Sequence, residues 1–416
     1  MLKGESGIRT ASTPKQSVEM SDRAEWSYIG FLALLTATPA LATDMYLSAI
    51  PTIARQWNSS ESVISLSLVL WFVAFSLFLL VWGPISDRTG RKPVLITGLF
   101  VFVASSVLCS VARNPAQLIG FRILQGIGAA SPSTMVMAIC RDRFEGAVRQ
   151  KVLGFIGVVM PIVPMVAPAI GAGVMVVGSW RWIFGVQASL ATVSLCLSFG
   201  YRETAELEAG GGVVDAFRRY GRLLGNGRFV AANTTMGLAV GPLFGFIAFS
   251  PIVYQKIFSL SEIAFAFLFG TNALAAMLGA GLCVRLSPKV SQYRLLTISF
   301  IGVLVTGVGF LAVGGVHAFV FAGLMAAASV CIGLSRPLSN HLVLEQVAHD
   351  IGAASSFLVF YQGMVGAVCM WYTCRPWPTP ILAFGVLVVA LSTLILTVWP
   401  FLLNALRAGD RPPSQR

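Results

Sequence analysis

Twelve stretches of about twenty apolar residues dominate this 416-residue chain, and no other feature limits its fold as strongly. They are Ser27–Ile50, Ser62–Trp82, Pro93–Val111, Leu118–Ile139, Val152–Val177 and Trp182–Gly200, then Phe229–Tyr254, Ser261–Val284, Leu295–Val313, Ala318–Leu334, Gly352–Thr373 and Pro378–Leu402. In a bilayer every backbone N–H and C=O must find its partner within the protein, which only helices and closed barrels achieve. The runs are continuous and do not alternate with a period of two, so they read as helices and not as barrel strands. Charged residues are 11% of the sequence, against roughly 25% in soluble proteins. Lipid is therefore the solvent for most of the chain.

The spacing divides the runs six and six. Residues 1–26 read as a disordered cytoplasmic tail, 27–200 as one six-helix bundle and 201–228 as a central cytoplasmic loop. Residues 229–403 read as a second bundle and 404–416 as a cytoplasmic tail. The loop contains Gly210-Gly211-Gly212 and a basic amphipathic piece, Val213–Leu224. An equal split of this kind is the pattern of a duplicated transporter. With both termini inside, 22 of the 29 Lys and Arg fall on the cytoplasmic side and 5 outside, while Arg122 and Arg336 lie within apolar runs. This asymmetry follows the positive-inside rule. It accounts for the net charge of +12 without nucleic acid as a partner.

Most of the 7 cysteines, Cys109, Cys196, Cys283 and Cys331 among them, sit in apolar runs and read as packing residues, not disulfides. The N-terminal residues lack the apolar core and cleavage site of a signal peptide. No phosphate-binding Walker loop, metal-ligand spacing or nucleophile–base pair stands out, so neither an enzyme nor a bound cofactor is expected.

Several strings carry mechanism. Between the second and third runs lies G-P-I-S-D-R-T-G-R-K-P, Gly83 to Pro93. Gly83 allows close helix approach, Gly90 a tight turn, and Arg88, Arg91 and Lys92 hold the loop inside, with Asp87 the acid among them. By itself this is a basic turn. The fourth run begins R-I-L-Q-G-I-G-A-A at Arg122, a cation inside the membrane that either snorkels outward or faces protein or a cavity. The fifth run holds Pro161, Pro164, Pro168, Gly171 and Gly173, which kink a helix and allow close crossings. S-W-R-W-I-F follows at Ser179. Asp44, in T-D-M-Y-L-x-x-x-P, is an acid some six residues inside the first run. There it either caps the outer loop or, removed from water, exchanges a proton near neutral pH. Asp142, in C-R-D-R-F, reads as part of an interfacial ion cluster. Trp71, Asn272 and Tyr361-Gln362 are polar or amphipathic groups in apolar runs. They read as helix–helix contacts or cavity walls. Arg336-Pro337, followed by Asn340, His341 and Glu345, reads as a helix ending at the cytoplasmic interface.

The string from Gly83 to Pro93 resembles the signature between the second and third helices of the major facilitator superfamily. A-P-x-x-G, Ala167 to Gly171, resembles the antiporter motif of its drug exporters, and T-D-M-Y-L resembles the first helix of the Bcr/CflA drug-resistance group. The resemblance covers Ser27 to Leu402, with its motifs concentrated in the first half. It implies an all-α membrane protein with the major facilitator fold, two six-helix bundles around a central cavity. Asp87 and Arg91, with Gly83, Arg88 and Gly90, would form a gating latch, and Asp44, Arg122 and Asp142 would serve proton coupling. Pro164, Pro168 and Gly171 would form the antiporter helix, and Asp44, Trp71, Asn272 and Tyr361 would line the cargo cavity. Some relatives carry a second acid two turns before Asp44; here Leu35-Thr36-Ala37 stands there, which favours neutral or zwitterionic cargo over cations. The expected function is proton-coupled export of small amphipathic compounds such as drugs across the inner membrane. The expected protein is a monomer driven by the proton gradient. Proton-coupled import of a metabolite is the alternative on the same fold.

Overall fold

The computed structural model describes residues 22–204 and 213–409. The expected N-terminal tail up to residue 21, residues 205–212 of the central loop and residues 410–416 of the final tail lie outside the described residues. Among the described residues all regular structure is helical, and 12 helices are long and apolar enough to cross a membrane. The first six are α1 (Tyr28–Leu47), α2 (Glu61–Thr89), α3 (Arg91–Ser110), α4 (Pro115–Arg143), α5 (Val148–Val177) and α6 (Arg181–Gly200). The second six are α7 (Gly227–Ile257), α8 (Glu262–Leu286), α9 (Gln292–Val313), α10 (Ala318–Leu344), α11 (Ile351–Thr373) and α12 (Pro380–Asn404).

Helix extends beyond the apolar runs at several ends. The helix containing α1 starts at Asp22, inside the expected tail, and the one containing α12 runs on to Gly409. The central loop contains a helix, Val213–Gly225, where the amphipathic pattern lies. The expectation that the tenth helix ends near Leu334 is corrected: α10 continues through Pro337 to Leu344. A proline deprives only one carbonyl of its donor, here that of Gly333. In an apolar environment, ending the helix would orphan more backbone groups than that.

The two halves repeat one packing scheme. In the first, α4 packs on α2 and α3, α3 on α6, and α1 on α5; in the second, α10 packs on α8 and α9, α9 on α12, and α7 on α11. The bundles meet along two seams, α2 against α11 and α5 against α8.

The apolar cores show how the bundles are joined. Call the end carrying Arg91, Lys92, Arg141, Arg149 and Arg222 the basic end. Toward the opposite end one continuous core contains Ile53, Leu68 and Phe184 of the first half together with Phe249, Phe321 and Phe384 of the second. Toward the basic end the cores are separate. One is built on Leu32, Leu95, Met135 and Ile156, the other on Phe229, Leu296, Leu338 and Trp399. The molecule is thus closed by shared apolar packing opposite the basic end.

Candidate functional site

At the basic end, the turn between α2 and α3 is organised by Arg91, which is 5% exposed. Its Nη1 donates to Asp87 Oδ1 at 2.5 Å and Ser86 Oγ at 2.6 Å, and its Nε donates to Asp142 Oδ2 at 2.8 Å. Glu203, just past α6, accepts the backbone N–H groups of Arg91 and Lys92, both at 2.9 Å. These are orphan donors at the start of α3, where a carboxylate also meets the positive end of the helix dipole. Gly90 has φ +97, a backbone conformation that strains any side chain, and a Cβ there would lie 2.5 Å from Glu203 Oε2 and push that carboxylate aside. Gly83 is less demanding: a Cβ would meet Thr134 at an ordinary 3.7 Å. Arg88 lies on the exposed side of the turn.

Asp87, Arg91 and Asp142 are therefore brought together, within the first bundle. The contact between halves at this end runs through the helix Val213–Gly225. Tyr220 donates to Leu80 O of α2 at 3.3 Å, while Arg222 pairs with Asp350, the residue before α11, at 2.9 Å. Burial pushes the Tyr220 phenol up to about 12, which keeps it a neutral donor.

Inside the membrane-spanning length, Arg122 is fully buried. Its Nη1 donates to Ala42 O at 3.0 Å and to Gln125 Oε1. Gln125 Nε2 donates to Ser106 Oγ at 2.7 Å and Gln187 Oε1 at 3.0 Å, and Gln187 reaches back to Ala42 O at 3.3 Å. The guanidinium lies over the rings of Tyr46 (4.7 Å), Trp71 (5.5 Å) and Phe184 (6.0 Å). Such faces attract cations. Nε and Nη2 have no hydrogen-bond partner. Arg122 thus faces protein, in a cage joining α1, α2, α4 and α6.

Asp44 is 5% exposed, and the hydrogen bond to its carboxylate comes from Thr43 Oγ1 at 3.1 Å. Among the described residues no cation pairs with it. Arg122 is not its partner. Arg122 touches α1 at Ala42 and Tyr46, which share one face, whereas Asp44, two residues from each, points to the other side.

The turn that carries Asp44 rests on α5. Ser48 Oγ donates to Pro168 O at 3.1 Å. A Cβ on Gly171 would lie 2.2 Å from Met45 O, so only glycine allows this approach. On another face α5 meets α8: a Cβ on Gly270 would lie 3.1 Å from Met165 O. Pro164 is half-buried on the same stretch. The stretch from Pro164 to Gly171 therefore sits between the acid-bearing turn of α1 and the second bundle.

Of the expected cavity residues, Trp71 is corrected to a core position. It is 1% exposed, stacks on Phe75 at 5.0 Å and packs with Ala42, Phe102 and Ala129, because its ring serves the Arg122 cage. Asn272 is likewise buried and accepts from Ser329 Oγ at 2.6 Å, joining α8 to α10. Tyr361 is half-buried against Gly237 of α7. Gln362 donates to Asn340 at 2.9 Å, and His341 and Glu345 form an exposed pair at 3.0 Å. Gln125, Gln187 and Glu203 were not picked out from sequence. The two glutamines carried a usable signal as amides within apolar runs, and Glu203 as an acid in a basic segment.

The sequence profile of the Major Facilitator Superfamily matches residues 32–370. The MFS-type transporter YdgK of Bacillus subtilis (strain 168) is 29% identical over 347 residues, covering 82% of this chain and 86% of YdgK. The multidrug resistance protein MdtL of Escherichia coli (strain 536) is 31% identical over 246 residues, 59% of this chain and 62% of MdtL, so that alignment spans a little under two thirds of MdtL. Among solved structures, a bacterial homologue of the human lysosomal transporter Spinster superposes with a TM-score of 0.71 at 14% identity, covering 95% of this chain and 100% of that one. A D-xylose–proton symporter superposes with a TM-score of 0.67 at 15% identity, covering 90% and 97%. With two six-helix halves and a family profile matched over most of its length, this chain is a multi-pass membrane protein that belongs to the Major Facilitator Superfamily.

Proposed function

We propose that the protein exports small amphipathic compounds in exchange for protons, by alternating access across the cell's inner membrane, with both termini in the cytoplasm. The basic end is then the cytoplasmic end, as the distribution of Lys and Arg favours. The observation that carries the reading is the position of Asp44: a buried carboxyl without a counter-charge, on the turn of α1 that packs against Pro168 and Gly171 of α5. An unpaired ion in a low-dielectric site costs several kcal/mol. A carboxyl so placed is held neutral by a proton, or charged by a cationic group of the cargo. Those two occupants compete, which is the requirement for antiport.

In the outward-open state Asp44 takes a proton from outside. In the state open to the cytoplasm, cargo displaces that proton. Because α5 touches both α1 and α8, the occupant of Asp44 bears on the seam between the bundles, and a ligand shifts that equilibrium only through contacts that differ between states. Arg122, caged on the far face of α1, contributes a fixed positive field, not a bond. The motif of α5, the resemblance of α1 to the Bcr/CflA group and the 31% identity to MdtL favour export of drug-like compounds.

The test is transport by proteoliposomes containing the purified protein and an imposed pH gradient. Wild type accumulates cargo against its gradient, and Asp44→Asn retains at most downhill exchange. An Asp44→Asn protein that still concentrates cargo from the pH gradient refutes the scheme. Import is the second reading, since a D-xylose–proton symporter shares the fold; the sign of the cargo gradient in the same assay separates the two.

A further inference from the structure

The helix α10 carries an arginine that the exchange scheme leaves unused. Arg336 lies eight residues before the last residue of α10, Leu344, about 12 Å along the helix at 1.5 Å per residue. The body of the protein surrounds it, yet its side chain is exposed. A group enclosed by protein and still reachable by solvent lines an internal opening. The guanidinium has no ion-pair partner among the described residues. It differs in this from Arg91, which holds two carboxylates, and from Arg122, which is sealed among aromatic rings.

Its surroundings mix apolar groups, Ala239, Val240 and Ile332 among them, with polar ones, of which two are unsatisfied. Ser335 and Ser339 of α10, Gln362 of α11 and Met236 of α7 line a narrow recess against Arg336. Ser339 is 3% exposed, and its Oγ has no hydrogen-bond partner. Asn233, one turn before Met236 on the same face of α7, is 2% exposed with its Oδ1 also unpartnered. A membrane-embedded cation without an acid, beside a buried hydroxyl without a partner, is a site that lacks its anion.

The geometry points to Arg336 as the residue that receives an anionic group of the cargo. A carboxylate fits the planar guanidinium, and the Ser339 hydroxyl supplies a further donor. The cargo class follows if the exchange reading above is also taken, and on that reading it rests. Only a cationic group competes with a proton at Asp44, whereas a purely anionic cargo would bind together with the proton, which is symport. The cargo is therefore an amphipathic zwitterion, with an anionic group for Arg336 and a cationic group that competes with the proton.

The test uses the full chain in lipid nanodiscs, as wild type, Arg336→Gln and Arg336→Lys. The probes are leucyl-phenylalanine, its C-terminal amide and its N-acetyl form, read by the shift in thermal unfolding. Wild type should respond to the free dipeptide at a concentration about tenfold or more below that needed for the amide, as expected for loss of a charged hydrogen-bonded pair. Arg336→Gln should erase that difference and Arg336→Lys keep part of it, since a lysine retains charge but not the bidentate fork. The assignment is overturned if wild type does not prefer the free acid, including the case in which none of the three binds, or if Arg336→Gln keeps the preference. Nanodiscs of phosphatidylglycerol and of phosphatidylcholine form a second arm. If Arg336→Gln removes only a stabilisation by phosphatidylglycerol, the residue is a lipid contact and the proposal falls. If the N-acetyl form binds as well as the free dipeptide, competition at Asp44 fails while the assignment of Arg336 stands.

Discussion

The contact between α1 and α5 offers a test that needs no knowledge of the cargo's binding mode. Gly171 and Gly173 are two positions apart on one helix. A Cβ on Gly171 would lie 2.2 Å from Met45 O and 2.9 Å from Met45 C, whereas a Cβ on Gly173 meets nothing within 4 Å. The obstructing atoms are backbone, so no rotamer change relieves Gly171→Ala. The helices must separate by about 1 Å, and overpacking of this kind costs about 1–3 kcal/mol. Applied to one state of a two-state cycle, that penalty shifts the equilibrium by about 5- to 150-fold. Gly173→Ala carries no such penalty and gains slightly in helix propensity. Both variants are compared in inverted vesicles for uptake driven by the pH gradient, normalised to the folded protein measured by size exclusion. Gly171→Ala is expected to lose about fivefold or more of its rate, and Gly173→Ala to match wild type. Equal rates for the two variants would refute the argument that the acid-bearing turn works through its close seat on α5.

Other outcomes follow from the basic end and the buried cage. Glu203→Ala removes the acceptor for two orphan N–H groups of α3 and should lower stability by about 0.5–2 kcal/mol, measured by thermal unfolding in detergent. Gly90→Ala should cost more than Glu203→Ala in the same assay, because it adds a φ of +97 to a 2.5 Å clash. Asp142→Asn should destabilise more than Asp87→Asn, since the Asp142 side chain is 15% exposed and that of Asp87 47%; equal effects would show that Arg91 does not depend on its drier partner. Gln125→Leu leaves Arg122 without its side-chain acceptor and should cost about 1–3 kcal/mol, checked by the same unfolding assay. Asn272→Ala should cost only about 0.6 kcal/mol.

What could be read from sequence divides along physical lines. The twelve spans were legible because lipid penalises every unsatisfied backbone group, so the apolar length is itself the structural requirement. The end of α10 was misread for a related reason. Pro337 marks a stop in water, where freed carbonyls are solvated, but inside the protein the helix continues to Leu344. That difference decides where Arg336 sits: within a helix facing an internal opening, not at an interface. Partners distant in sequence were not legible. Arg91 and Glu203 are separated by 112 positions, Gln125 and Gln187 by 62, and no local spacing joins them. The prolines of α5 mark a helix that lacks some of its hydrogen bonds but do not tell its neighbours. Its seat on Met45 at Gly171 and its contact with Gly270 through Met165 put one proline-rich helix between the turn of Asp44 and the second bundle. A helix with three internal prolines has three carbonyls without their usual donors, so it yields more readily than neighbours with one proline or none. If Asp44 exchanges its proton, the first element to feel the altered charge is also the one built to change shape.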